Sequence, residues 1–110
     1  MADLIDRTVF AELQRNAGAD FVVELIGTFC EEAPQMLAEL RAALAAGSAE
    51  RFRRAAHSLK TNAHTFGAMT LGAKARELEL GGLPGDADGV DGLEAAYAET
   101  VAALKELAHG

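Results

Sequence analysis

Tryptophan is absent from this chain, tyrosine and cysteine occur once each, and proline occurs twice. The single cysteine, Cys30, excludes an internal disulfide, so packing alone must hold the fold, as suits a reducing, cytoplasmic compartment. Its own expected part is that of a small buried hydrophobe. Aromatics make up 5% of residues against 50% hydrophobic in total. A core must therefore be built from Leu, Ala and Val with a few Phe, which suits closely packed helices. No apolar run approaches the ~20 residues of a membrane span. The opening MADLIDRTVF has early acids and no apolar segment, so no secretory signal and no membrane association are expected. A length of 110 residues leaves room for one domain, 1–110, with one modest core.

Positive charge is scarce too. The net charge of −7 argues against non-specific nucleic-acid binding. Between Ser48 and Gly67 the balance inverts, because Glu50 alone stands against Arg51, Arg53, Arg54 and Lys60. That local +3 leaves −10 for the remainder. A basic strip on an acidic body suits docking to an acidic or phosphorylated pocket, against the plainer reading of scattered surface charge.

The stretch Ser48–Ala68 reads as one helix, with Ser48 as N-cap and Gly67 as stop. Phe52, Ala56, Leu59, Ala63 and Phe66 form its apolar stripe. At about 100° per residue, Glu50, Arg53, Arg54, Lys60, Thr61 and His64 fall within about 60° of His57, on the opposite side. The helix thus presents an imidazole to water among cations. A neutral imidazole is the side chain best suited to act as a nucleophile near neutral pH. Lys60, one turn on, can offset the charge of a phosphoryl group placed on it.

The other segments read as helices as well. Asp6 to Asn16 gives a short first helix with Val9, Phe10 and Leu13 inward. Asp20 caps a long second helix, Phe21 to Ala46, with Val22, Leu25, Phe29, Ala33, Met36, Leu40 and Leu44 inward. Pro34 should kink or divide it. A fourth helix covers Met69–Leu80 with Leu71, Ala75 and Leu78 inward. A loop through Gly81, Gly82, Pro84, Gly85 and Gly89 follows, and Asp91 caps a last helix to Ala108 with Leu93, Tyr97, Val101 and Leu104 inward. The expected fold is all-α: an up-and-down antiparallel four-helix bundle with a short additional N-terminal helix. The loop GGLPGDADG has neither a Walker lysine nor G-x-G-x-x-G spacing, and Asp86 and Asp88 match only a fragment of a calcium loop, so no metal site is expected.

Ala56, His57, Leu59 and Lys60, followed by Gly67 and Ala68, resemble the A-H-x-L-K-(small)-x-(small) signature of histidine-containing phosphotransfer (HPt) domains and the Gly-Ala that trails it. Thr61 replaces the commoner Gly or Ser, and His64 stands where a small residue is usual. The resemblance implies that His57 reversibly accepts a phosphoryl group from the aspartyl phosphate of a response-regulator receiver domain and passes it to another receiver. It further implies a hybrid sensor histidine kinase upstream, a monomer, Mg²⁺ supplied by the partner rather than by a cofactor of this chain, and no kinase or phosphatase activity of its own. Glu79, 22 residues after His57, stands where some such domains carry a polar residue that bonds the imidazole. If it reaches Nδ1, Nε2 is left as the nucleophile. Arg53, Arg54, Thr61, His64, Gly67 and Arg76 are the expected partner-binding residues, Arg76 with a possible reach to the phosphoryl group. His57 and His64 lie ~10 Å apart along the axis, too far to share a metal in the usual four-residue spacing.

Two other classes compete. The dimerisation domain of a sensor kinase has an H-box resembling H-E-L-R-T-P, whereas this chain reads HSLKTN and has too many helices for one hairpin. A phosphorylation-independent helical adaptor binding receiver domains would not require both His57 and Lys60.

Overall fold

The computed structural model describes residues 4–109, and among them there are five helices and no strand. They are α1 (Arg7–Ala17), α2 (Ala19–Ala46), α3 (Ala49–Thr65), α4 (Met69–Leu80) and α5 (Asp88–His109). Helix α3 packs between α2 and α4, α5 packs on α2 and α4, and α1 lies against α2.

Capping explains several boundaries. Asp6 accepts from the backbone N–H of Thr8 and Val9 and starts α1. Ser48 accepts from Arg51 N–H and starts α3. Gly47, at φ 68°, ends α2 in a left-handed turn that a side chain would resist. Two expected caps are corrected. Helix α2 begins at Ala19, so Asp20 sits in its first turn, where a carboxylate favours the N-terminal dipole without capping it. Helix α5 begins at Asp88, so Asp91 lies inside the helix and Gly89 belongs to its first turn rather than to the loop.

Pro34 does not divide α2, which runs unbroken for 28 residues. Proline lacks the N–H that would serve the carbonyl four residues back, that of Cys30. The Tyr97 hydroxyl of α5 donates to that carbonyl at 3.4 Å. The orphaned acceptor thereby gains a partner from another helix. Cys30 itself is half-buried rather than fully enclosed.

The core is continuous. Every residue expected inward on this stretch is buried: Phe52, Ala56, Leu59 and Ala63 of α3, and Phe66, which caps its C-terminal end. On α2 the fully buried face is Val22, Ile26, Phe29, Ala33, Leu37, Leu40 and Ala43, while Leu25, Met36 and Leu44 are only partly covered. The seam is rotated from the heptad reading because α2 must serve both α3 and α5. Ala33, Ala43, Ala56, Ala63 and Ala75 are essentially inaccessible, so helix axes approach closely where their small side chains meet. Phe29 joins the layers, with ring centroids 5.4 Å from Phe66 and 5.6 Å from Tyr97.

Candidate functional site

His57 lies mid-helix on α3, and Ala56 and Leu59 beside it are wholly buried. The apolar stripe fixes the rotation of α3, and this rotation leaves the His57 side chain 54% exposed. Its ring is held from the neighbouring helix. Nδ1 lies 2.6 Å from Glu79 Oε2 of α4. Lys60 Nζ lies 2.7 Å from the other oxygen of the same carboxylate.

Glu79 is only 10% exposed and therefore tightly placed. The Lys60 ammonium first and the His57 ring second hold its carboxyl below the usual range, against the opposing pull of burial. An ionised carboxylate can only accept, so Nδ1 carries the proton and donates it to Oε2. In the neutral ring the Nε2 lone pair is then directed away from Glu79 and can act as a nucleophile. Oε1 is buried, and the Lys60 ammonium is its close ion-pair partner.

The remaining expected residues differ in how they are engaged. Arg53 and Arg54 are exposed beside His57, and Arg54 makes a loose 3.8 Å contact to Glu50. Arg76 is exposed on α4, and neither it nor Arg53 has an ion-pair partner among the described residues. Thr61 is exposed, but its hydroxyl is engaged by the His57 carbonyl at 3.0 Å. His64 lies on the same face, with its ring edge over Gly72 of α4, so that a side chain at Gly72 would meet Nε2 and Cδ2. Gly67 is the misfit. It is buried, with its carbonyl accepting from Asp6 N–H at 2.7 Å, and its place under the start of α1 does not fit the expected contact with a partner.

Arg51 is not part of a free basic strip. Its Nε and Nη2 bind the two oxygens of Glu39 on α2, at 3.0 and 2.8 Å. This fork closes one end of an open groove between α2 and α3, bordered by Glu32, Met36, Arg54 and Ser58. No spacing rule pairs Glu39 with Arg51 or Gly72 with His64, because each contact is made between helices. Among the described residues no group of three or more His, Cys, Asp or Glu could hold a metal ion, and no helix is long and apolar enough to cross a membrane.

A family model described as Hpt domain matches residues 24–109. The crystal structure of histidine-containing phosphotransfer protein B (HptB) from Pseudomonas aeruginosa PAO1 is similar over 99% of this chain and 97% of that one. Its TM-score is 0.85 and its sequence identity 29%. No curated protein sequence matches the chain.

Proposed function

The chain belongs to the Hpt domain family and is a histidine phosphotransfer protein of a phosphorelay; from that premise we propose that His57 is its phosphoacceptor. The observation that carries this reading is the 2.6 Å contact between His57 Nδ1 and Glu79 Oε2. It selects the tautomer in which exposed Nε2 is the nucleophile.

The donor is the aspartyl phosphate of a receiver domain, loaded by a hybrid sensor histidine kinase. Nε2 attacks phosphorus as the bond to the aspartyl oxygen breaks, and the released carboxylate keeps that electron pair. The Nδ1 proton stays where it is throughout. Reversal onto a second receiver follows the same path, so the imidazole leaves as a neutral base. This chain contributes a positioned nucleophile and local charge; the receiver contributes Mg²⁺ and its own acids. It needs no cofactor and has no kinase or phosphatase activity of its own.

We further read residues 1–110 as one domain in which α2 to α5 form an up-and-down antiparallel bundle and α1 crosses one end. The register of contacts supports this, since Arg51 meets Glu39, His57 meets Glu79, and Arg41 meets Asp91 and Glu94. Arg53, Arg54, Thr61, His64 and Arg76 surround His57 as the partner-facing surface, with the α2–α3 groove beside them. A cytoplasmic monomer that binds neither nucleic acid nor membrane accords with this.

The test is radiolabel transfer from a phosphorylated receiver to the wild type, His57→Gln and His64→Gln. Wild type and His64→Gln should take an acid-labile, alkali-stable label and His57→Gln none. Label on His64 instead would refute the site. Failure of every variant with several receivers would favour the adaptor reading.

A further inference from the structure

Lys60 is engaged by Glu79. Its ammonium lies 2.7 Å from Glu79 Oε1, and its side chain is 20% exposed. The same carboxylate holds His57 Nδ1 through its other oxygen. One largely covered carboxylate therefore serves two partners, an ammonium and an imidazole ring.

The charges of the three groups change with loading. Before transfer the ring is neutral, Lys60 carries +1 and Glu79 carries −1. Attack by Nε2 forms the N–P bond without moving the Nδ1 proton, so the ring becomes a phosphoimidazolium carrying +1, and the phosphoryl group brings up to −2. Glu79 then faces a full positive charge at Oε2 where it faced a neutral donor. Lys60 meets a stronger anion one helical turn away, within reach of its flexible stem.

We infer that phosphorylation of His57 drives an exchange of counterions, in which Glu79 passes from Lys60 to the phosphoimidazolium ring and Lys60 passes to the phosphoryl group. Glu79 is thus a positioning residue in both states, and Lys60 contacts the phosphoryl group only once it has arrived. The inference rests on His57 being the acceptor. It makes the surface beside His57 differ between empty and loaded carrier in the location of a cation, a difference that donor and acceptor receivers can read.

The chain has three lysines, Lys60, Lys74 and Lys105, so lysine side-chain NMR resolves the exchange. The full chain, labelled at lysine Cε, is phosphorylated with phosphoramidate, whose P–N bond breaks to release ammonia as Nε2 bonds to phosphorus. Phosphorus and nitrogen NMR identify the phosphorylated ring atom. On loading, the Lys60 resonance should move while those of Lys74 and Lys105 stay. In unphosphorylated Glu79→Gln, Lys60 should already depart from its wild-type position. Lys60→Met, with circular dichroism confirming its fold, should shorten the lifetime of the loaded state at least threefold, and an unchanged or longer lifetime would overturn the exchange. A phosphorylated His57 with Lys60 unmoved would overturn the exchange while leaving the relay reading intact. Absence of phosphorus on His57, with label elsewhere or nowhere, would overturn the relay reading and the exchange with it.

Discussion

Tyr97 and Pro34 are coupled through a single acceptor, the Cys30 carbonyl. Pro34 removes the N–H that would have served it, and the Tyr97 hydroxyl reaches it from α5 at 3.4 Å. The bond is long and its contribution correspondingly modest. Tyr97→Phe should lower stability by about 1 kcal/mol in urea denaturation. Pro34→Ala restores the helical N–H, so in that background the same Tyr97→Phe change should have a clearly smaller effect. Equal losses in both backgrounds would show that the hydroxyl does not serve the orphaned carbonyl.

The Tyr97 phenol is pushed up to about 12 by burial, with the Cys30 thiol adding to the shift. Because tyrosine occurs once and tryptophan is absent, tyrosinate absorbance reports this one group. The folded protein should ionise near 12, and the unfolded chain near the ordinary value of 10.0. The fold favours the protonated phenol. Its contribution is therefore fully present below pH 10.0 and is lost as pH rises from there to about 12. Ionisation of the folded protein near the ordinary value would contradict the packing described for α2 and α5.

Gly67 has φ 75°, and a Cβ there would lie 2.8 Å from the Asp6 carbonyl oxygen and 3.0 Å from Val9 Cβ. Gly67→Ala combines a left-handed backbone with that clash and should destabilise by about 2 kcal/mol, measured as a loss in chemical denaturation. Its effect on phosphoryl acceptance at temperatures where it remains folded should be small, because Gly67 is buried beneath α1. A stable Gly67→Ala protein that lost acceptance would return this glycine to the partner surface.

Glu79→Gln keeps the shape of the site and removes its anion. Nitrogen NMR of the wild-type His57 ring should show the proton on Nδ1, and the variant should give a mixture of tautomers. Acceptance of phosphate should fall by roughly tenfold or more, the scale on which an orienting partner of an imidazole acts. The Glu79 carboxyl is depressed in the fold, mainly by Lys60 and then by His57, from an ordinary value of 4.5. Its stabilising contribution is therefore present above about pH 4.5 and is lost as pH falls through the depressed folded value. The variant should lack that part of the acid dependence. An unchanged acid profile would mean that the carboxylate is not paired as described.

Much of this molecule could be read from local pattern. The 3.6-residue spacing of Phe52, Ala56, Leu59, Ala63 and Phe66 determined both that α3 is a helix and that His57 faces water, because burial of one stripe sets the orientation of the other. Helix α4 was legible to its ends for the same reason. Local cues erred where two of them competed. Asp91 looked like a cap, yet Asp88 lies far enough upstream to begin α5, with its own N–H bonded to Asp86 Oδ1 at 3.0 Å.

The sequence by itself determined the presence of five helices, the face that carries His57 and Lys60, and the candidate partner Glu79, since all depend on spacing along one chain or on a short motif. Only the tertiary structure decided that Glu79 binds His57 and Lys60 together, that Glu39 takes Arg51 out of the basic strip, and that Gly67 is buried. It also decided that Tyr97 restores the carbonyl orphaned by Pro34. These contacts join different segments, and their geometry depends on how helices rotate and close on a shared core. Periodicity specifies which face a helix buries, but not which residue of another helix meets it there.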